Sequence, residues 1–219
     1  MLFSKGSVNE RKDFILTGLY ITLSVIIAYI LSPYLGIYIF DGVQFERYGA
    51  KEYGLTSTKN KEKIMELFEK MGRRCDQLVN QADSIPWIVN EDTPKGQSGR
   101  LKDRWQNVRL RETDPSETTI AYIVNKDHEL RVCLTDKETR EHEELNTAMF
   151  VILHELAHMA SVKYGHGTEF WTNFRMILKK AIEMGIYEYQ DYSAEGESEV
   201  YCGLTIYSTP CHDKTCNHE

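Results

Sequence analysis

The stretch "HELAHMASVKYGHGTEFW", residues 154–171, decides how the chain is read. Residues four apart on a helix share a face, so His154 and His158 would aim two imidazoles at one point. Two histidines so placed suit a zinc ion at ~2.0–2.1 Å from each nitrogen. Glu155 is one step round from His154. It would lie near the metal without being a ligand, placed to take a proton from the attacking water and pass it to the leaving amine. Phe150, Val151, Ile152 and Leu153 lead into the motif. The helix is therefore expected to be buried, where unpaired polar groups are costly. A third histidine, His166, follows in "YGHG", where Gly165 and Gly167 allow the chain to turn back sharply. Three protein ligands would leave the fourth position open, as a catalytic zinc requires.

Around this stretch the periodicity predicts alternating helices and strands. The motif helix is expected from about Asn146, and a second from Thr168 to Met184, stopped by Gly185. Upstream, "TTIAYIV" at 118–124 and "ELRVCL" at 129–134 read as strands joined by the polar turn "NKDH". His128 in that turn reads as an exposed loop residue. Ile64, Leu67, Phe68, Met71, Cys75, Leu78 and Val79 fall at three- and four-residue steps and predict a helix over 58–79. Met71 and Cys75 are assigned to its core stripe rather than to a ligand set. Residues 91–99 read as a loop. Arg100, Lys102, Arg104, Arg109 and Arg111 then surround Trp105. This is read as a solvated face with Trp105 packed inward; contact with nucleic acid is the alternative. The terminal segment 193–219 reads as an irregular tail with at most one short strand. Its Cys211, His212, Cys216 and His218 lack the ligand spacing of zinc fingers and are read as a terminus rather than a second metal site.

The N-terminal region has a different character. From Phe14 to Phe40 there is no charged residue. Phe14 through Ser32 would make about 28 Å of helix, close to the ~30 Å hydrocarbon core. Pro33 would end it, and Tyr34, Tyr38 and Phe40 would occupy an interfacial belt. The expectation is a single-pass membrane protein held in a lipid bilayer through residues 14–40. Lys and Arg nearly balance across the span and leave its orientation open. The organisation expected is a flank at 1–13, the anchor at 14–40, a juxtamembrane linker at 41–57, the main domain at 58–192 and the tail at 193–219.

Composition bounds the rest. The chain has 219 residues, 42% hydrophobic and 27% charged, with a formal net charge of −7. That is room for one sizeable domain plus an appendage, with no overall pull toward nucleic acid or anionic lipid. The cysteines, five and widely spaced, give no readable disulfide framework, so reduced thiols are expected.

The segment "VILHELAHMASVKYGHGTEFW", with "DRWQNVRLRE" upstream and the intervening hairpin, resembles the WLM-type metallopeptidases, relatives of the SprT-like proteases. The likeness covers roughly residues 95–192. It implies an α+β, zincin-like domain in which His154, His158 and His166 hold Zn2+, Glu155 is the general base, and Phe170 and Trp171 pack behind the site. It also implies that a strand of the 118–134 hairpin runs beside the active helix, its edge free to pair with an extended protein or peptide substrate. Related sequences occur in large DNA viruses as well as in cells. Two other functions are weighed against a membrane-anchored peptidase: a zinc-containing scaffold, for instance of a virion, and proteolysis of proteins crosslinked to DNA. Glu169 is the competitor for third ligand. It is expected in the first turn of the next helix, its carboxylate solvated at the positive end of the helix dipole and dispensable.

Overall fold

The fold is described from a computed structural model, over residues 8–31, 44–48, 51–55, 61–88, 96–114, 117–125, 128–136, 138–139 and 141–210. The chain divides into two units, Met1–Phe45 and Glu46–Glu219.

The first unit contains helix α1, Val8–Leu31. Its opening turns carry Glu10, Arg11, Lys12 and Asp13, so the apolar run begins only inside the helix. Among the described residues no helix is long and apolar enough to cross a membrane. The expected transmembrane helix, the bilayer contact through residues 14–40 and the membrane localisation are therefore withdrawn. The proposed belt of Tyr34, Tyr38 and Phe40 lies outside the described residues, as does the Cys/His tail at 211–219. The hydroxyls of Thr22 and Ser24 donate to the carbonyls of Gly18 and Tyr20, each at 2.8 Å, so these polar groups are satisfied within the helix.

The second unit is α+β. Strands β1 (Gln44–Tyr48) and β2 (Lys51–Leu55) fall where a linker was expected. Tyr53 and Leu55 of β2 belong to the core. Helices α2 (Lys61–Asn80) and α3 (Gly96–Asn107) follow, then β3 (Arg109–Glu112). Two parallel strands cannot be joined by a tight turn, and α2 and α3 supply the crossover between β2 and β3. β4 (Ala121–Val124) and β5 (Glu129–Val132) form the expected hairpin. The sheet order is β1-β2-β3-β5-β4, with β5 parallel to β3 and β4 at the edge. Helices α4 (Leu145–Ala160) and α5 (Thr168–Glu183) then pack together. Gly185 follows α5 with φ +65°, the left-handed stop its position predicts. A second sheet, β6 (Glu199–Tyr201) with β7 (Leu204–Ile206), occupies the segment read as tail.

The apolar stripe of α2 is buried as its periodicity predicts, Met71 and Cys75 included. Burial pushes the Cys75 thiol well above the ordinary range, so it is an inert core thiol. Lys51 is also buried. It donates to the carbonyls of Trp105 and Val108 at the C-terminal end of α3, and its ammonium lies 4.3 Å from the centre of the Trp105 ring. Desolvation lowers it to about 8. Trp105 itself points inward and donates from Nε1 to Asp76 at 2.7 Å, tying α3 to α2.

The cysteines depart from expectation. Cys133, just beyond β5, and Cys202, at the turn of the β6–β7 hairpin, form a disulfide across a separation of 69 residues. A separation that long carries no local signal in the sequence.

Phe68 joins α2 to the sheet: it is fully buried, its ring 5.5 Å from that of Tyr53 on β2. Phe68→Ala should cost about 3–5 kcal/mol of stability through lost burial and the cavity left behind. A urea titration reads this directly, and a loss below ~1 kcal/mol would show that α2 is not packed on β2 in this way.

Candidate metal centre

Helix α4 is buried along nearly its whole length. Beyond its first turn, only His154 and His158 are not fully buried. The helix thus presents two imidazoles at one surface window, with Glu155 beneath them at 5% exposure.

His166 comes from the loop between α4 and α5. Gly165 adopts φ +80°, a conformation side chains rarely take, and this reverses the chain. Gly167 is extended and serves as N-cap of α5, so only one of the two glycines does the turning. The result brings Nε2 of His166 to 3.0 Å from Nε2 of His154 and 3.1 Å from Nε2 of His158. The ligand atoms of all three residues lie within 4.8 Å of one another. Two nitrogens bound tetrahedrally to one zinc stand ~3.3–3.4 Å apart, so the cluster fits such an ion with little adjustment.

Phe170, fully buried in the first turns of α5, lies under all three rings. Its centroid is 4.7 Å from His154, 4.3 Å from His158 and 4.6 Å from His166. Phe174 backs His154 at 5.3 Å and Trp171 flanks His166 at 5.9 Å. These contacts restrict the imidazole rotamers before any ion arrives.

The electrostatics favour a neutral imidazole at His154. Burial, then the neighbouring His158 and His166, push His154 down to about 3. Burial alone lifts the Glu155 carboxyl to about 8. A cation beside it would act in the opposite direction, favouring the carboxylate.

Glu169 departs from its expected role. Its side chain is only 10% exposed, not solvated. It accepts from the amides of Val162 at 2.8 Å and Lys163 at 3.2 Å, and Arg100 stands 3.7 Å away. It holds the start of the loop that carries His166 and is not part of the histidine cluster.

The basic segment is likewise built into the site. Arg100 donates from Nε to the Ala160 carbonyl at 2.9 Å, and Arg104 to the carbonyls of Met159 and Ser161. Two guanidiniums therefore cap the C-terminal end of α4, where unpaired carbonyls and the helix dipole favour cations. Lys102 pairs with Asp83, Arg109 with Glu52 at 3.1 Å and Arg111 with Glu129 at 3.7 Å. Each of these five basic residues thus has a partner within the domain. His128 is exposed and apart from the cluster, as its turn position predicts.

Two clefts meet at His154 and Glu155. One, of about 240 Å³, is lined by β4, His158 and the 163–166 loop. The other, of about 260 Å³, is lined by α4, α5 and the residues after β6. Ala121 of the edge strand β4 borders both.

The chain is similar to viral proteins. It is 29% identical over 157 residues to an uncharacterized protein of Acanthamoeba polyphaga mimivirus, which spans 71% of this chain and 77% of that one. It is 37% identical over 68 residues to an uncharacterized protein of Invertebrate iridescent virus 3, spanning 31% of this chain and 42% of the relative. An uncharacterized protein of Invertebrate iridescent virus 6 is 30% identical over 70 residues, 31% and 39% of the two chains. No family model and no solved structure matches the chain.

The tie between Glu169 and the 162–163 amides makes a prediction opposite to the one from sequence. Glu169→Ala should leave the domain folded but weaken zinc affinity about 10–100-fold, as loss of a residue supporting a ligand does. Competition with a chromophoric chelator measures it; unchanged affinity would show that the loop positions His166 without Glu169.

Proposed function

We propose that the protein is a zinc-dependent metallopeptidase, a hydrolase of the WLM/SprT-like type, acting on protein or peptide substrates. The observation that carries this reading is the convergence of His154, His158 and His166 at 3.0–3.1 Å beside the buried Glu155. Zinc held by the three imidazoles would supply Lewis acidity and lower the pKa of water to about 7.

The chain's own groups do the rest. Glu155 lies at the junction of the two clefts, within reach of both sides of a bond placed there. It accepts a proton from the attacking water and returns it to the leaving amine. The aromatic floor formed by Phe170 holds the imidazoles in place, so little reorganisation is needed on binding. β4 borders both clefts and is the last strand of its sheet. An extended peptide laid along that edge would pair with it through backbone hydrogen bonds, which serves many sequences, while the clefts select side chains. A scaffold role would have no use for a buried general base at the cluster.

Glu155→Gln should retain one zinc per chain and lose on the order of 10²–10⁴ or more in the rate of cleaving an unfolded protein such as reduced casein. Turnover by this variant at the wild-type rate would exclude the mechanism. A zinc-loaded wild type that cleaves nothing would favour the scaffold.

A further inference from the structure

The larger of the two clefts at the metal centre, about 260 Å³, is apolar on its inner side. Phe150 and Val151 of α4, Phe174 of α5 and Ile120 just before β4 face it. Its outer wall is the segment Thr205–Ser208, in which Ile206 packs against the core and Tyr207 is largely exposed. That wall belongs to the β6–β7 hairpin, whose strands are three residues each. A two-stranded hairpin of this size has little stability of its own.

What holds it is a set of attachments at its turn. Cys202 and Gly203 both have positive φ, 49° and 82°, the conformation of a two-residue turn matched to strand twist. Cysteine rarely takes it. Here Cys202 is bonded through sulfur to Cys133. Its amide donates to Glu143 at 2.7 Å, and the buried Tyr201 hydroxyl donates to the Cys133 carbonyl. Farther along, Thr147 of α4 donates to Glu199 of β6 at 3.0 Å. The covalent tie is the one attachment in this set that does not exchange with water.

We propose that this cleft is a subsite for an apolar side chain of an extended peptide lying across the metal centre, and that the Cys133–Cys202 disulfide sets its selectivity by holding Ile206 in the wall. The proposal rests on the peptidase reading above. A dithiol reductant would reverse it: the S–S bond breaks, two electrons and two protons pass from the dithiol to give two cysteine thiols, and the dithiol closes to its own disulfide. The hairpin then keeps its hydrogen bonds, the burial of Tyr201 and the packing of Ile206, without a covalent tie, and the wall loosens.

The test reads binding, not turnover. Two peptide hydroxamates identical but for one residue beside the hydroxamate, leucine or glycine, are titrated calorimetrically into the full, zinc-loaded chain. The oxidised protein should bind the leucine compound about tenfold or more tightly, the value of burying a large part of one such side chain. Ile206→Ser should lose most of that preference while keeping affinity for the glycine compound. The Cys133→Ser/Cys202→Ser variant, checked for zinc content and folding, should lose a comparable part and no longer respond to reductant. Equal binding of the two compounds, failure to bind either, or a preference untouched by both variants would overturn the proposal. A leucine preference in a chain that cleaves no protein would sink the peptidase reading and leave the subsite standing. Cleavage without the preference would do the reverse.

Discussion

A helix buried on almost every face, yet carrying His-Glu-x-x-His, is the constraint from which the rest of the domain follows. Twelve residues of α4 are buried, and past its first turn the two histidines alone are not. Such a helix needs apolar cover on all sides, which α3, α5 and the sheet supply. Its buried C-terminal carbonyls need donors, which Arg100 and Arg104 provide. The polar residues it carries need a purpose or a partner, because burial without either is expensive. His166 and the open side of the cluster answer that last demand.

The same economy governs charge. A row of arginines next to a tryptophan suggests a surface for a polyanion when viewed as a list of residues. In three dimensions Arg100 and Arg104 cap the end of α4, while Lys102, Arg109 and Arg111 pair with carboxylates of the same domain. Glu169 belongs to this network, receiving two loop amides and facing Arg100. The loop bearing the third histidine is thereby linked to α3 as well as to α5. Helix N-terminus, loop and basic helix act as one support behind a site with few groups of its own.

How much of this could be read from sequence depended on whether the signal was local. The histidine pair, the glutamate and the turn at Gly165 lie within one short stretch; helical spacing places the first three together, and the glycine marks the turn. The α2 stripe and the β4–β5 hairpin were legible for the same reason. β1 and β2 were not, because "QFERY" and "KEYGL" carry charges that read as linker, and only the fold buries Lys51, Tyr53 and Leu55 of β2. β3 was hidden in the basic segment, where Leu110 is the only apolar residue in four. The uncharged run at 14–40 suggested a bilayer span, yet among the described residues no helix is long and apolar enough to cross one. Glu169 is outside the histidine cluster as expected but is not solvated, since it accepts from the Val162 and Lys163 amides, which no sequence pattern marks. The disulfide and the hairpin it anchors depend on contacts across 69 residues, beyond any periodicity. The histidine cluster was thus visible early, while the parts that shape and select around it emerged only with the tertiary fold.

X-ray absorption at the zinc edge of the purified full-length chain tests the central claim most directly. The account predicts one zinc per chain, bound by three imidazole nitrogens and one light oxygen at ~2.0–2.1 Å, with no sulfur in the shell. A chain that retains no zinc, or a shell in which sulfur or a carboxylate replaces the third imidazole, would contradict it.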